Sequence, residues 1–263
     1  MIFAWLKRRR RRALLETPLP GTWIGHLERG FALWGWLDDD ERRRLLDITR
    51  ILVAEKDWEG GGGLEVTEEM QVVIAAQAAL LLLGIEHTYF HNVQTIVVYP
   101  ESYRLPRSNR ASPYLAEEHV PVLGHARMNG GVVLSWRSAL MGGKSATDGH
   151  NLVYHEFAHK LDMKDGVIDG TPFLPKRLLG GRWFSVMSKE FKRLKRQKAS
   201  GHSQVLDFYG ATDVAEFFAV ATESFFEEPL KLEEKNPDLY GVLKDYYHQD
   251  PAARLARRRR VSS

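Results

Sequence analysis

His155, Glu156 and His159 lie in the run His155-Glu156-Phe157-Ala158-His159, two imidazoles four residues apart with a carboxylate beside the first. Residues four apart on a helix share a face, so both imidazoles can reach one metal ion, while Glu156 is angled away from direct ligation. In such an arrangement the metal lowers the pKa of a bound water to about 7 and the glutamate takes its proton. The residue types and their spacing therefore point to metal-assisted hydrolysis, with Glu156 as the general base. Two histidines alone leave the site incomplete.

The chain has no cysteine, so zinc, the metal this motif suits, would be held by histidine and carboxylate and disulfides are impossible. A metzincin-type continuation needs glycine and histidine where Asp162 and Asp165 stand, and that reading fails. A glutamate on a later helix is the alternative. Glu216, in YGATDVAEFFAVATESFF, is the best placed, inside a helix capped by Thr212 or Asp213. Glu223 lies two turns further on the same face. Asp162 shares the face of the two histidines and is a candidate outer carboxylate that orients a ligand imidazole. His150 falls on a different face and His125 outside any metal spacing, so both are expected in loops or packing.

Several elements must position these residues. Asp38 to Glu55 carries Leu45, Leu46, Ile48, Ile51 and Leu52 at helical spacing, with acids at its start. After the Gly60 to Gly63 break, Thr67 with Glu68 and Glu69 marks the capped start of a helix, apolar nearly all round, that ends at Gly84. The β-branched runs Gln94 to Tyr99 and Gly131 to Trp136 read as strands. The pattern is helical again from Asp148 through Met163, Trp183 to Lys195, Thr212 to Glu227 and Pro237 to Tyr247. The sum is an α+β chain without internal repeats. The clustered Trp23, Phe31, Trp34 and Trp36 are expected to be hydrophobic packing.

The runs GHNLVYHEFAHKLDMKDGVIDGTPFL and YGATDVAEFFAVATESFFEEP resemble the Mlc titration factor A family of zinc peptidases. LEVTEEMQVVIAAQAALLLLG and PVLGHARMNGGVVLSW extend the likeness over nearly everything between the termini. The shorter core, a tyrosine seven residues before Glu-Phe-Phe, is similar to the catalytic domain of anthrax lethal factor. The resemblance implies a zincin-like fold with a helical amino-terminal region, a small mixed sheet and an active-site helix. It implies one zinc ion per chain held by His155, His159 and Glu216, with Glu156 as base and Tyr209 as the hydroxyl that stabilises the oxyanion. A phenol aimed at developing charge is the kind of donor whose loss costs on the order of 100-fold in rate. The run GVVLSW becomes the edge strand that pairs with a peptide substrate. The resemblance also implies aminopeptidase-like hydrolysis linked to transcriptional regulation of sugar uptake. The other function it implies is binding and sequestering a transcriptional repressor of the Mlc type. The aspartate found four residues after the ligand glutamate in thermolysin-like enzymes is absent, since Val220 stands there, which leaves Asp162 and Glu223 to orient the imidazoles.

Length and composition bound the rest. The 263 residues, 44% of them hydrophobic, can fill a sizeable core. The organisation they suggest is a basic arm over 1–15, a metallopeptidase domain over 16–250 that is helical to about 90 and catalytic from about 91, and a basic tail over 251–263. Lys7 to Arg12 supply six positive charges, and Arg254 with Arg257 to Arg260 supply five; subtracting these eleven from the net +3 leaves −8 for the body. These runs are expected to be solvated tails. No recognition helix accompanies them and the acidic body repels a duplex, so specific nucleic-acid binding is not expected. The opening MIFAWLKRRRRR has no adequate signal-peptide core, and Val72 to Leu83, interrupted by Gln77, falls short of the roughly 20 residues a spanning helix needs. The expectation is a cytoplasmic protein without membrane insertion.

Overall fold

The computed structural model describes residues 2–101, 130–163, 169–174, 181–201 and 205–261. His125 and Gly166 lie outside them. Helix α1 (Ile2–Glu16) and α2 (Thr22–Gly30) lead through a 3-10 turn (Ala32–Trp36) to α3 (Asp39–Glu55). Strand β1 (Asp57–Gly60), α4 (Glu68–Leu82), β2 (Thr95–Tyr99) and β3 (Val132–Ser135) follow. Then come α5 (Trp136–Lys144), α6 (Leu152–Asp162), α7 (Arg182–Ser200), a 3-10 turn (Phe208–Ala211) and α8 (Val214–Glu227). The chain closes with α9 (Pro229–Lys235), α10 (Pro237–Tyr247) and α11 (Pro251–Val261).

The expected helix starts are built as their residues dictate. Asp38 accepts the Glu41 amide while Glu41 reaches back to the Asp38 amide, a reciprocal cap that opens α3. Thr67 accepts from the Met70 amide at the start of α4. Every α4 side chain from Val72 to Leu82 is buried, so this helix is the centre of the core. Helices α2, α3, α5 and α6 pack around it. Close approach requires glycine at the α2–α5 contact: a Cβ on Gly143 would lie 2.4 Å from the Gly30 carbonyl oxygen.

The sheet differs from expectation. Its described strands run in the order β1-β2-β3 and both pairings are parallel, with Trp58 opposite Ile96 and Val97 opposite Val133. Among the described residues the expected mixed pairing is therefore not seen, and the three strands are parallel. Helix α4 supplies the crossover between β1 and β2 that parallel neighbours need. Strand β1, the polar run DWEG, had no strand signature in the sequence.

The two basic runs are helices anchored on the body through Arg11 and Arg254, while Arg8, Arg9, Arg10, Arg12 and Arg257 to Arg259 stay solvated as expected. Arg11 makes a two-pronged contact with Glu55, Nε and Nη2 each 2.7 Å from a carboxylate oxygen. Arg50 donates to the carbonyls of Leu14, Leu15 and Thr17, which satisfies the exposed carbonyl end of α1. At the other end of α3, Arg254 is buried and donates to Glu41 and Gln249. Matched carboxylates far away in sequence turn charge runs into docked helices. Trp23, Phe31, Trp34 and Trp36 are all buried, as packing residues.

Candidate metal centre

Helices α6 and α8 cross with their functional faces toward each other, and both are buried nearly all round. Asn151 caps α6, its Oδ1 accepting the Tyr154 amide at 3.0 Å, while its Nδ2 donates to Gln77 Oε1 at 2.9 Å. Gln77 in turn donates to the carbonyls of Val73 and Ala139. The one polar side chain in the apolar stretch of α4 thus ties α4, α5 and the start of α6 together. Asp213 caps α8 by accepting the amides of Ala215 and Glu216. Asp207 accepts the Tyr209 amide at 2.6 Å and fixes the turn that carries Tyr209.

These caps bring three ligand-type atoms together. His155 Nε2 and His159 Nε2 are 3.2 Å apart, and Glu216 Oε2 lies 3.0 Å from the first and 3.4 Å from the second. A tetrahedral zinc ion with ligand bonds of about 2.0–2.1 Å has ligand-to-ligand edges of about 3.3 Å, so the triangle has the size that such an ion requires. Glu216 Oε2 is buried and accepts no oriented hydrogen bond among the described residues despite its two imidazole neighbours. That orphaned lone pair fits a cation at the centre of the triangle better than it fits hydrogen bonding. Among the described residues this is the one cluster of three such groups close enough to hold a metal. His155 is 2% exposed, whereas His159 and Glu216 are each 19% exposed. The centre is closed behind His155 and accessible from the other side, as a catalytic metal site requires.

Carboxylates surround the inner imidazole. Glu223 Oε1 is 2.7 Å from His155 Nδ1. Burial favours a neutral His155, but the charge of Glu223, the Glu216 carboxylate 3.0 Å from Nε2, the hydrogen bond to Glu223 and nearby Glu156 overcome it and push the pKa up to about 10. Burial also opposes ionisation of Glu216, yet the imidazoles of His155 and His159 hold its carboxyl well below the usual range. Glu156 is buried, and its Oε1 has no hydrogen-bond partner among the described residues. The Tyr209 hydroxyl donates to Glu216 Oε1 at 2.9 Å.

A sequence model described as glucose-regulated metallo-peptidase M90 matches residues 5–248. The chain belongs to that M90 metallo-peptidase family. An uncharacterised protein of Synechocystis sp. is 34% identical over 249 residues, covering 94% of this chain and 90% of its own. Mlc titration factor A of Edwardsiella ictaluri is 32% identical, with 83% of this chain and 84% of its own covered. The protein of the same name from Serratia proteamaculans is 31% identical, with coverage of 84% and 85%. The resemblance seen in the sequence is thus to the right family.

Within this M90 chain, His155, His159, Glu216, Glu156, Tyr209 and Glu223 converge on one place. Asp162 does not share their contact. It is buried, and its Oδ2 accepts the Gly170 amide at 2.9 Å, so it secures the loop that follows α6; no hydrogen bond joins it to an imidazole among the described residues. His150 lies in the loop before α6, its amide donating to Asp148 and Glu227. Asn151, Gln77 and Asp207 were not singled out from the sequence as site residues. Asn151, directly before the apolar start of α6, and Asp207, two residues before Tyr209, carried a readable capping signal.

Proposed function

We propose that the chain is a zinc-dependent peptidase in which His155, His159 and Glu216 hold one zinc ion per chain. The observation that carries this reading is the triangle of His155 Nε2, His159 Nε2 and Glu216 Oε2. A zinc ion there supplies Lewis-acid polarisation of a carbonyl and of water at neutral pH. Glu156, a buried carboxylate with a free oxygen, accepts the proton of the attacking water and delivers it to the leaving amine. The Tyr209 hydroxyl transfers its hydrogen bond from Glu216 to the oxyanion that develops on the substrate carbonyl. Glu223 orients His155 through Nδ1. Among the described strands β3 has a partner on one side only, which supports it as the edge on which an extended peptide adds. The substrate is a peptide, cleaved in aminopeptidase-like fashion in the cytoplasm.

The test joins metal analysis to activity. Purified chain should contain about one zinc per molecule, and Glu156→Gln should keep the metal while losing roughly 10²–10⁴-fold in hydrolysis. Full activity in Glu156→Gln would falsify the mechanism. Comparing amino-acyl anilides with internally quenched peptides of blocked amino terminus decides whether cleavage begins at a free terminus.

A second reading is favoured by the name of several relatives, Mlc titration factor A. In it the chain binds and sequesters a transcriptional repressor of the Mlc type and so acts on sugar uptake, with proteolysis secondary. Repressor release by the wild type and by His155→Ala separates the two, because sequestration survives loss of the metal and proteolysis does not.

A further inference from the structure

Helix α1 holds the densest charge in the chain, and its two faces are unlike. At about 100° per residue, Lys7, Arg11, Leu14 and Leu15 fall on one side. That side is docked: Lys7 and Arg11 meet Glu55, Arg11 lies 4.1 Å from the Tyr89 ring centroid, and Leu14 and Leu15 are half-buried. Trp5, Leu6, Arg9 and Arg12 fall on the opposite side, with Arg8 and Arg10 at its margins, and all six are exposed. Trp5 is 59% and Leu6 47% exposed, and the Arg9 guanidinium stands 5.7 Å from the Trp5 ring centroid.

A merely solvated face has no use for a tryptophan and a leucine held in water, side by side, on a helix that ion pairs keep in place. A duplex would engage the arginines and leave both apolar side chains wet. Stacking of single-stranded bases on Trp5 would compete with Arg9 and leave Leu6 unused. A bilayer interface uses every part: tryptophan and leucine enter at headgroup level while arginines meet lipid phosphates. Docking to Glu55 and Arg50 presents this face already ordered, so little entropy is lost on contact.

We propose that the outer face of α1 docks the protein on an anionic phospholipid surface, with Trp5 and Leu6 at the headgroup level and Arg8, Arg9, Arg10 and Arg12 on the phosphates. The contact is peripheral, since no described helix is long and apolar enough to cross a membrane. It does not depend on the metal centre. Helix α11 supplies an internal control: Arg257, Arg258 and Arg259 are exposed, but among the side chains described there no large exposed apolar one accompanies them.

The experiment is co-sedimentation of the full chain with vesicles of phosphatidylcholine alone and of phosphatidylcholine mixed with phosphatidylglycerol. The chain should bind the mixed vesicles, and added salt should release it. The combined Arg8→Glu, Arg9→Glu and Arg12→Glu variant should lower partitioning at least about tenfold. Trp5→Ser should lower it roughly tenfold, and Trp5→Phe, which keeps an apolar ring, should retain most of it. Arg257→Glu with Arg259→Glu should leave it unchanged. The proposal is overturned by absence of vesicle binding, by an equal loss in the α11 variant, or by a Trp5→Ser variant that binds like the wild type. Retention of an oligonucleotide without retention of vesicles overturns it as well.

Discussion

Glu223 joins His155 to the start of its own helix: Oε1 lies 2.7 Å from His155 Nδ1, and Oε2 accepts the Asn151 amide at 2.6 Å. One buried carboxylate on α8 therefore sets both the ring orientation of the inner imidazole and the position of the residue that caps α6. Outer carboxylates of this kind raise the basicity of a ligand imidazole and fix its tautomer. Glu223→Ala should lower zinc affinity about 10–100-fold, and Glu223→Gln, which keeps an acceptor, should lower it less. Competition against a chromophoric chelator measures this. Wild-type affinity in Glu223→Ala would remove Glu223 from the assignment.

Tyr209 has two candidate duties that one substitution separates. Its hydroxyl rests on Glu216 Oε1, so it either steadies the ligand carboxylate or serves the oxyanion during reaction. If the oxyanion role governs, Tyr209→Phe should reduce kcat on the order of 100-fold while zinc stoichiometry and KM stay near wild type. If steadying governs, zinc affinity falls and kcat at saturating zinc is unchanged.

Much of this centre was legible because helices write their geometry locally. Four-residue spacing put His155 and His159 on one face, and Thr212 or Asp213, of which Asp213 is the cap, announced the helix that carries Glu216. The pairing of α6 with α8 was not local. His155 and Glu223 are 68 residues apart, and helical spacing says which residues share a face without saying which helix that face meets. For the same reason Asp162 was expected at an imidazole and is found on Gly170. The docked termini escaped notice because Arg11 and Glu55 are 44 residues apart and Arg254 and Glu41 are 213. The parallel sense of the sheet is set by the crossover, which the residues of the strands do not record.

Asn151 is the joint between core and metal centre. Asn151→Ala removes the α6 cap, worth about 1 kcal/mol, and strands the buried Gln77 carbonyl without its donor, a further cost of about 1–3 kcal/mol. The expected destabilisation is about 2–4 kcal/mol, read as a lower urea midpoint with unchanged slope. Gln77→Leu removes the stranded group as well, so the double variant should lose less than the two single effects added together. Strict additivity would mean that the Gln77–Asn151 contact contributes nothing.

Glu227 gives stability a defined pH dependence. It is 1% exposed on α8 and accepts the His150 amide at 3.0 Å, sharing that amide with Asp148. Burial is the main cause that raises its carboxyl pKa well above the ordinary 4.5; Asp148 and Glu223 add to the rise, and Asn151 opposes it. An acid whose pKa is higher in the folded state binds more protons folded than unfolded. Its contribution is therefore fully present below the unfolded value and is lost as pH rises through the folded one. Glu227→Gln mimics the protonated form at every pH and still accepts from His150. The variant should match the wild type near pH 4.5 and grow progressively more stable than it as pH rises through the folded-state pKa. Urea midpoints measured across that range decide the matter: a stability difference that does not change with pH would mean that Glu227 is ionised in the folded protein throughout.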